Sequence, residues 1–115
     1  LEAHPEVCFR GLNGGPLEHS KTGAPGVGER LGALDGHLDD PNAALGRVCR
    51  ELSDAPADVA DAANPTVDDA VDALALAAVA SRPLDELRFL PEGADYRDGE
   101  KIPMRMAYWS AERLD

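Results

Sequence analysis

The sequence predicts an α/β chain that is mostly helical, with one or two strands, organised as a single domain over residues 1–115. Three observations predict it. Apolar stripes at helical spacing follow Pro5 and Pro41, and proline suits the first turn of a helix. An Ala-rich stretch from Thr66 to about Ser81 is bounded by Pro65 and Pro83, which makes it the clearest helix. Alternation of Met104, Met106 and Tyr108 with Arg105, Ala107 and Trp109 marks Ile102–Trp109 as the best strand.

Taken in order, Leu1–Ala3 reads as the end of a strand. A short helix follows with Val7, Cys8, Phe9 and Leu12 on its apolar side, stopped by Asn13-Gly14-Gly15-Pro16. Leu17–Gly26 is expected to be a polar loop. Val27, Leu31 and Leu34 have helical spacing, weakened by intervening glycines. Asp40 should cap the next helix, with Leu45, Val48, Cys49 and Leu52 on its apolar face and Ser53–Pro56 ending it. Ala57–Asn64 reads as short helix or loop, Leu84–Leu90 as one more helical turn, and Asp98-Gly99 as a turn before the last strand. Neither an internal repeat nor a low-complexity linker divides the chain.

Apolar residues make up 43% of the sequence, yet Ala, Gly and Pro supply much of its non-polar content and aromatics only 4%. The core should therefore be thin, since each alanine buries little surface. No apolar run approaches the roughly 18 residues that span a bilayer, and no basic-then-apolar leader is present. A soluble, cytoplasmic protein without a membrane partner is expected. Cys8 and Cys49 lack the companions of a structural zinc site, and His4, His19 and His37 are too scattered to complete one. Two free, partly buried thiols are one reading and a disulfide the other.

The net charge is −11, from 22 acidic against 11 basic residues, with only Lys21 and Lys101 as lysines. Such a surface repels phosphate backbones in ordinary salt. Asp richness, scarce lysine and many small apolar residues also resemble halophilic, haloarchaeal proteins. In concentrated salt the Debye length falls to about 3 Å, so the acidity does not exclude nucleic acid as a partner.

On the Thr66–Ser81 helix, Val67, Val71, Leu74 and Ala78 form one apolar face, while Leu76, Val79 and Ala80 lie opposite, as in a helix sandwiched between layers. Asp69 and Asp72 sit on that second side, three residues apart, so their side chains emerge next to each other. Adjacent carboxylates repel, and burial raises the cost. A hard divalent cation such as Mg²⁺ removes both penalties. The competing reading is plain: Asp68 and Asp69 suit the positive end of a helix dipole, Asp69 completes a capping box, and Asp72 is a solvated charge.

Leu1–Phe9, His19–Arg30, Asp69–Ala75 and Pro103–Trp109 together resemble the DUF429 family of predicted RNase H-like nucleases. Leu1-Glu2-Ala3-His4-Pro5-Glu6-Val7-Cys8-Phe9 is similar to its (I/V)E-x-HPE-x-x-F motif. His19-Ser20-Lys21-Thr22, with Gly26, Glu29 and Arg30, resembles SKKT-x-EG-x-x-ER. Asp69-Ala70-Val71-Asp72-Ala73-Leu74-Ala75 resembles the family's last helix, D-x-x-DALA, of the kind also used by RuvC resolvases. Pro103–Trp109 resembles the closing strand PM-x-(I/M)-x-Y-(W/P). The four occur in the family's order, and the ordered set carries the resemblance.

The resemblance implies the C-terminal part of an RNase H-like fold and metal-dependent phosphodiester hydrolysis using Mg²⁺ or Mn²⁺. It carries Asp69 and Asp72 over as catalytic metal ligands and Glu2 as a further catalytic candidate at a strand end facing the same site. Glu6 is read as a cap or a solvent-facing residue. Lys21 and Arg30 are phosphate contacts on one reading and structural ion-pair formers on the other. An Asp on the family's first strand and an Asp-x-Pro on a later one have no counterpart here, so the expectation is an incomplete site with an N-terminal portion missing, or one completed by association with another chain. The rival expectation is a non-catalytic interaction or structural module on the same framework, with the Tyr108/Trp109 strand facing a partner.

Overall fold

A computed structural model describes residues 3–56, 65–90 and 106–112. Among the described residues, four α-helices are followed by a 3₁₀ turn and two short antiparallel strands, as expected for a mostly helical α/β chain. Helix α1 (Pro5–Asn13) opens on Pro5 after an extended His4 and closes on Gly14, whose φ of 78° is a left-handed conformation that suits glycine. The Gly14 and Gly15 N–H groups donate to Gly11 and Arg10 carbonyls, which satisfies two otherwise orphaned acceptors.

Helix α2 (Ala24–Leu34) starts three residues earlier than the apolar spacing suggests, because Pro25 fits its first turn and Gly23 precedes it in extended conformation. Its buried face is also different. Gly26, Arg30, Ala33 and Leu34 point inward, while Val27 and Leu31 are half-buried. Arg30, three residues after Val27 and four before Leu34, falls toward that side by spacing, and only its charge argued for the surface. Helix α3 (Pro41–Ser53) is capped as expected, with the Ala43 N–H donating to the Asp40 carboxylate at 3.0 Å. Leu45, Val48 and Leu52 are half-buried, but Cys49 is exposed, against the expectation of a partly buried thiol. Both cysteines are free.

Helix α4 (Val67–Ala80) packs on α1, α2 and α3. Its inner arc is single and wide: Ala70, Val71, Leu74, Ala75, Ala78 and Val79 are buried. Val67 is 50% exposed and Ala80 is exposed, so the expected two opposed apolar faces are not both covered by the described residues. Val79 is the buried edge of the same face that holds Leu74, and Leu76 lies half-buried beyond it.

The segment Leu84–Leu90 splits into a 3₁₀ turn (Leu84–Glu86) and strand β1 (Arg88–Leu90), where only a helical turn was expected. Strand β1 pairs with β2 (Met106–Tyr108) in the register Arg88↔Tyr108, Phe89↔Ala107, Leu90↔Met106. The expected strand is thus present over 106–108, and Ile102–Arg105 lie outside the described residues, as do Ala57–Asn64 and the Asp98-Gly99 turn. Ala107 and Tyr108 are both buried, so the simple alternation fails here. The cause is close packing on α1: a Cβ on Gly11 would lie 2.1 Å from the Trp109 carbonyl oxygen, so only a glycine admits the chain at that point.

The core gathers Phe9, Leu34, Val71 and Tyr108 with small residues such as Ala75 and Ala78. A fully buried Phe or Leu contributes on the order of 1.5–3 kcal/mol, far more than an alanine methyl, so these few large side chains hold the helices together. The core is thin, as the composition implied. No helix of the described residues is long and apolar enough to cross a membrane.

Candidate functional site

The start of α4 is fixed by a capping box. The Thr66 hydroxyl accepts from the Asp69 N–H at 3.4 Å, and the Asp69 carboxylate accepts from the Thr66 N–H at 2.9 Å. The Thr66 hydroxyl donates to Asp68, which holds that carboxyl below its usual range. Asp69 itself is exposed, and one of its oxygens is committed to the backbone.

Asp72 is placed differently. Its side chain is only 17% exposed, and one oxygen lies 3.6 Å from the Lys21 ammonium. Its other oxygen, Oδ1, is buried with no hydrogen-bond partner. Burial is the main cause that pushes its carboxyl above the usual aspartate value, opposed by Lys21 and assisted by repulsion from Glu6 and Asp68. At about 100° per residue, Asp68 and Asp69 lie on either side of Asp72. Asp68 is on the side nearer the core, and Asp69 is on the side nearer solvent. Asp69 and Asp72 are therefore neighbours in sequence pattern, while their carboxylates serve different partners. Glu2 lies outside the described residues.

Lys21 is presented by the loop between α1 and α2, and that loop is held from below. Glu29 accepts from the Glu18 and His19 N–H groups at 2.8–3.1 Å, which lowers its carboxyl's pKa from the ordinary value. Arg30, 4% exposed, donates to the His19 and Gly26 carbonyls at 3.0 and 3.1 Å. It also donates twice to Glu6, at 3.0 Å each, and its guanidinium lies 5.7 Å from the centre of the Phe9 ring. Gly26 completes the support: a Cβ there would fall 1.7 Å from the Ser20 carbonyl oxygen. Of the two readings for Arg30, the geometry matches the structural ion pair. Glu6 is Arg30's partner in the first turn of α1, not a cap or a free surface charge, since burial of a guanidinium demands an anion beside it.

For Glu6, Glu29 and Asp68, reading the sequence named the residues but not their partners in this site. Asp68 could have been found from its i,i+4 relation to Asp72. Glu6 and Glu29 act across loops, and no local pattern announces such contacts. Among the described residues, no group of three or more His, Cys, Asp or Glu side chains could hold a metal ion. What the arrangement offers is one desolvated carboxylate with an unpaired oxygen, flanked by two further acids and one well-placed ammonium.

No curated protein and no solved structure matches the chain. Residues 1–95 match a family described as "Protein of unknown function (DUF429)", a span that includes the His-Pro-Glu turn, the Lys21 loop and the Asp69–Asp72 helix, and stops before the closing strand. With most of its length matched, the chain belongs to the DUF429 family.

Proposed function

We propose that the chain contributes Asp72, with Asp69 beside it and Lys21 above, to a metal-dependent nuclease site that hydrolyses phosphodiesters. The observation that carries the reading is the buried, unpartnered Asp72 Oδ1. An unsatisfied buried acceptor costs about 1–3 kcal/mol, and a charged one more. A divalent cation is the ligand that turns this cost into a contact. Asp72 fits one ligand position, and the Asp69 oxygen not used by Thr66 supplies a second. Glu2, the further carboxylate that the family resemblance implies, lies outside the described residues. When bound, Mg²⁺ or Mn²⁺ activates a water and stabilises the leaving oxygen. Lys21 then offers its ammonium to a phosphate oxygen, a role for which its loop is rigidly held.

The test is a Mn²⁺ titration of the native chain, Asp72→Asn and Asp69→Ala/Asp72→Ala, followed by melting and by calorimetry, together with cleavage of labelled RNA and DNA strands. Mn²⁺ should raise the melting temperature of the native chain and leave both variants unmoved. A native chain that neither binds millimolar Mn²⁺ nor cleaves either strand overturns the reading. The rival, a non-catalytic module presenting Tyr108 and Trp109 to a partner, is less well supported: Tyr108 is fully buried in the chain's own core, and Trp109 is half-buried against His37 and Arg82.

A further inference from the structure

Far from the Asp72 helix start, three side chains from three separate segments meet. His37 lies in the turn between α2 and α3, Arg82 just past the end of α4, and Trp109 just past β2. The Arg82 guanidinium lies 2.6 Å from His37 Nδ1 and 4.4 Å from the centre of the Trp109 ring. The His37 and Trp109 rings meet edge to face at 4.7 Å. The imidazole also donates to the Leu12 backbone carbonyl in α1. One imidazole therefore touches three other places in the chain.

The chemistry of the contact sets its protonation state. Arginine has only donors, so His37 Nδ1 must accept and the ring must be neutral. A proton on Nδ1 would replace the bond with two cations at hydrogen-bond distance. It would also leave the Trp109 face, an electron-rich surface, shared between competing charges. Among the described residues, the charged groups near the ring are Arg82 just past α4, Glu112 lining the same hollow of about 320 Å³, and Asp35 and Asp39 flanking His37 in sequence. Burial first, and then the Arg82 charge in direct contact, hold the imidazole's pKa below the ordinary histidine value, against the Leu12 backbone bond that favours the protonated ring.

We propose that His37, Arg82 and Trp109 form an acid-labile clasp that docks the end of strand β2 onto the helices at neutral pH and releases it when His37 takes a proton. The sign follows from linkage. The folded-state pKa lies below the unfolded one, so the unfolded chain binds more protons between the two. The stabilisation is present above the unfolded value of about 6.5 and is lost as pH falls through the window beneath it. Release loosens the contact that holds Trp109, while Ala107 and Tyr108 remain paired to β1.

Trp109 is the single tryptophan of the chain, so its fluorescence reports this junction alone. The experiment compares the native chain with His37→Asn, which keeps an acceptor near the Nδ1 position and cannot be protonated. Melting temperature and Trp109 emission are followed from pH 7.5 to pH 5. The native chain should lose melting temperature relative to the variant as pH falls, and its emission should red-shift in the same interval. Parallel profiles for the two proteins overturn the proposal. If the variant does not fold, an NMR titration of the native His37 ring decides: a pKa below 6.5 supports the clasp, and one at or above it refutes the clasp.

Discussion

Replacing Arg30 by methionine isolates the tie that joins α1, the Lys21 loop and α2. Methionine keeps the length of the side chain and its packing on Phe9, and removes the charge and every donor. Lost are two charge-assisted bonds to Glu6 and the bonds to the His19 and Gly26 carbonyls. Breaking a fully buried ion pair costs about 3–5 kcal/mol, chiefly because the remaining charge is stranded. Glu6 is 35% exposed and can recover part of its hydration, so the expected loss is lower, about 2–4 kcal/mol. Urea unfolding followed by circular dichroism measures it, as a lower midpoint at unchanged slope. Glu6→Gln should cost less, since an amide oxygen still accepts from the guanidinium. The double variant should then show a coupling of roughly 1–2 kcal/mol. Both losses should persist in molar salt, because a guanidinium 4% exposed is poorly screened. A loss below about 0.5 kcal/mol for Arg30→Met would refute the reasoning, since surface substitutions do as much.

Gly26→Ala should destabilise by about 1–3 kcal/mol or more, because its Cβ meets the Ser20 backbone, whereas Gly28→Ala, with nothing within 4 Å, should stabilise by about 0.5–1 kcal/mol; paired melting curves distinguish them. Thr66→Ala removes the hydroxyl of the α4 capping box and should cost about 1 kcal/mol in denaturant unfolding. A thiol reagent should modify exposed Cys49 at once in the native chain. Cys8, whose thiol burial pushes up to about 11, should react only on unfolding; equal rates would contradict its placement. For Glu29, the folded pKa is depressed, so its contribution to stability is present above the ordinary glutamate value and lost as pH falls through the folded value. The stability advantage of the native chain over Glu29→Gln should therefore be seen at pH 7 and vanish in acid.

The sequence by itself determined the elements whose signals are local. Proline at a first turn, Asp40 and Thr66 as caps, and Gly14 as a stop each act through a backbone group within four residues, so the order of types was enough to place α1, α3 and α4. The family was equally legible, because its motifs are short and ordered along the chain. What only the tertiary structure decided is which polar side chains lie inside. Arg30 stands three residues after Val27 and four before Leu34, on the apolar side, but no local pattern shows that Glu6, 24 residues away, makes the burial of its charge possible. Asp69 and Asp72 look equivalent at a spacing of three, yet one is spent on the helix cap and the other is desolvated beneath Lys21. Strand β1 needed β2 beside it, and β2 needed the bare backbone of Gly11. Burial and charge pairing depend on distance in space, and periodicity along the chain carries no record of which distant residue fills that space.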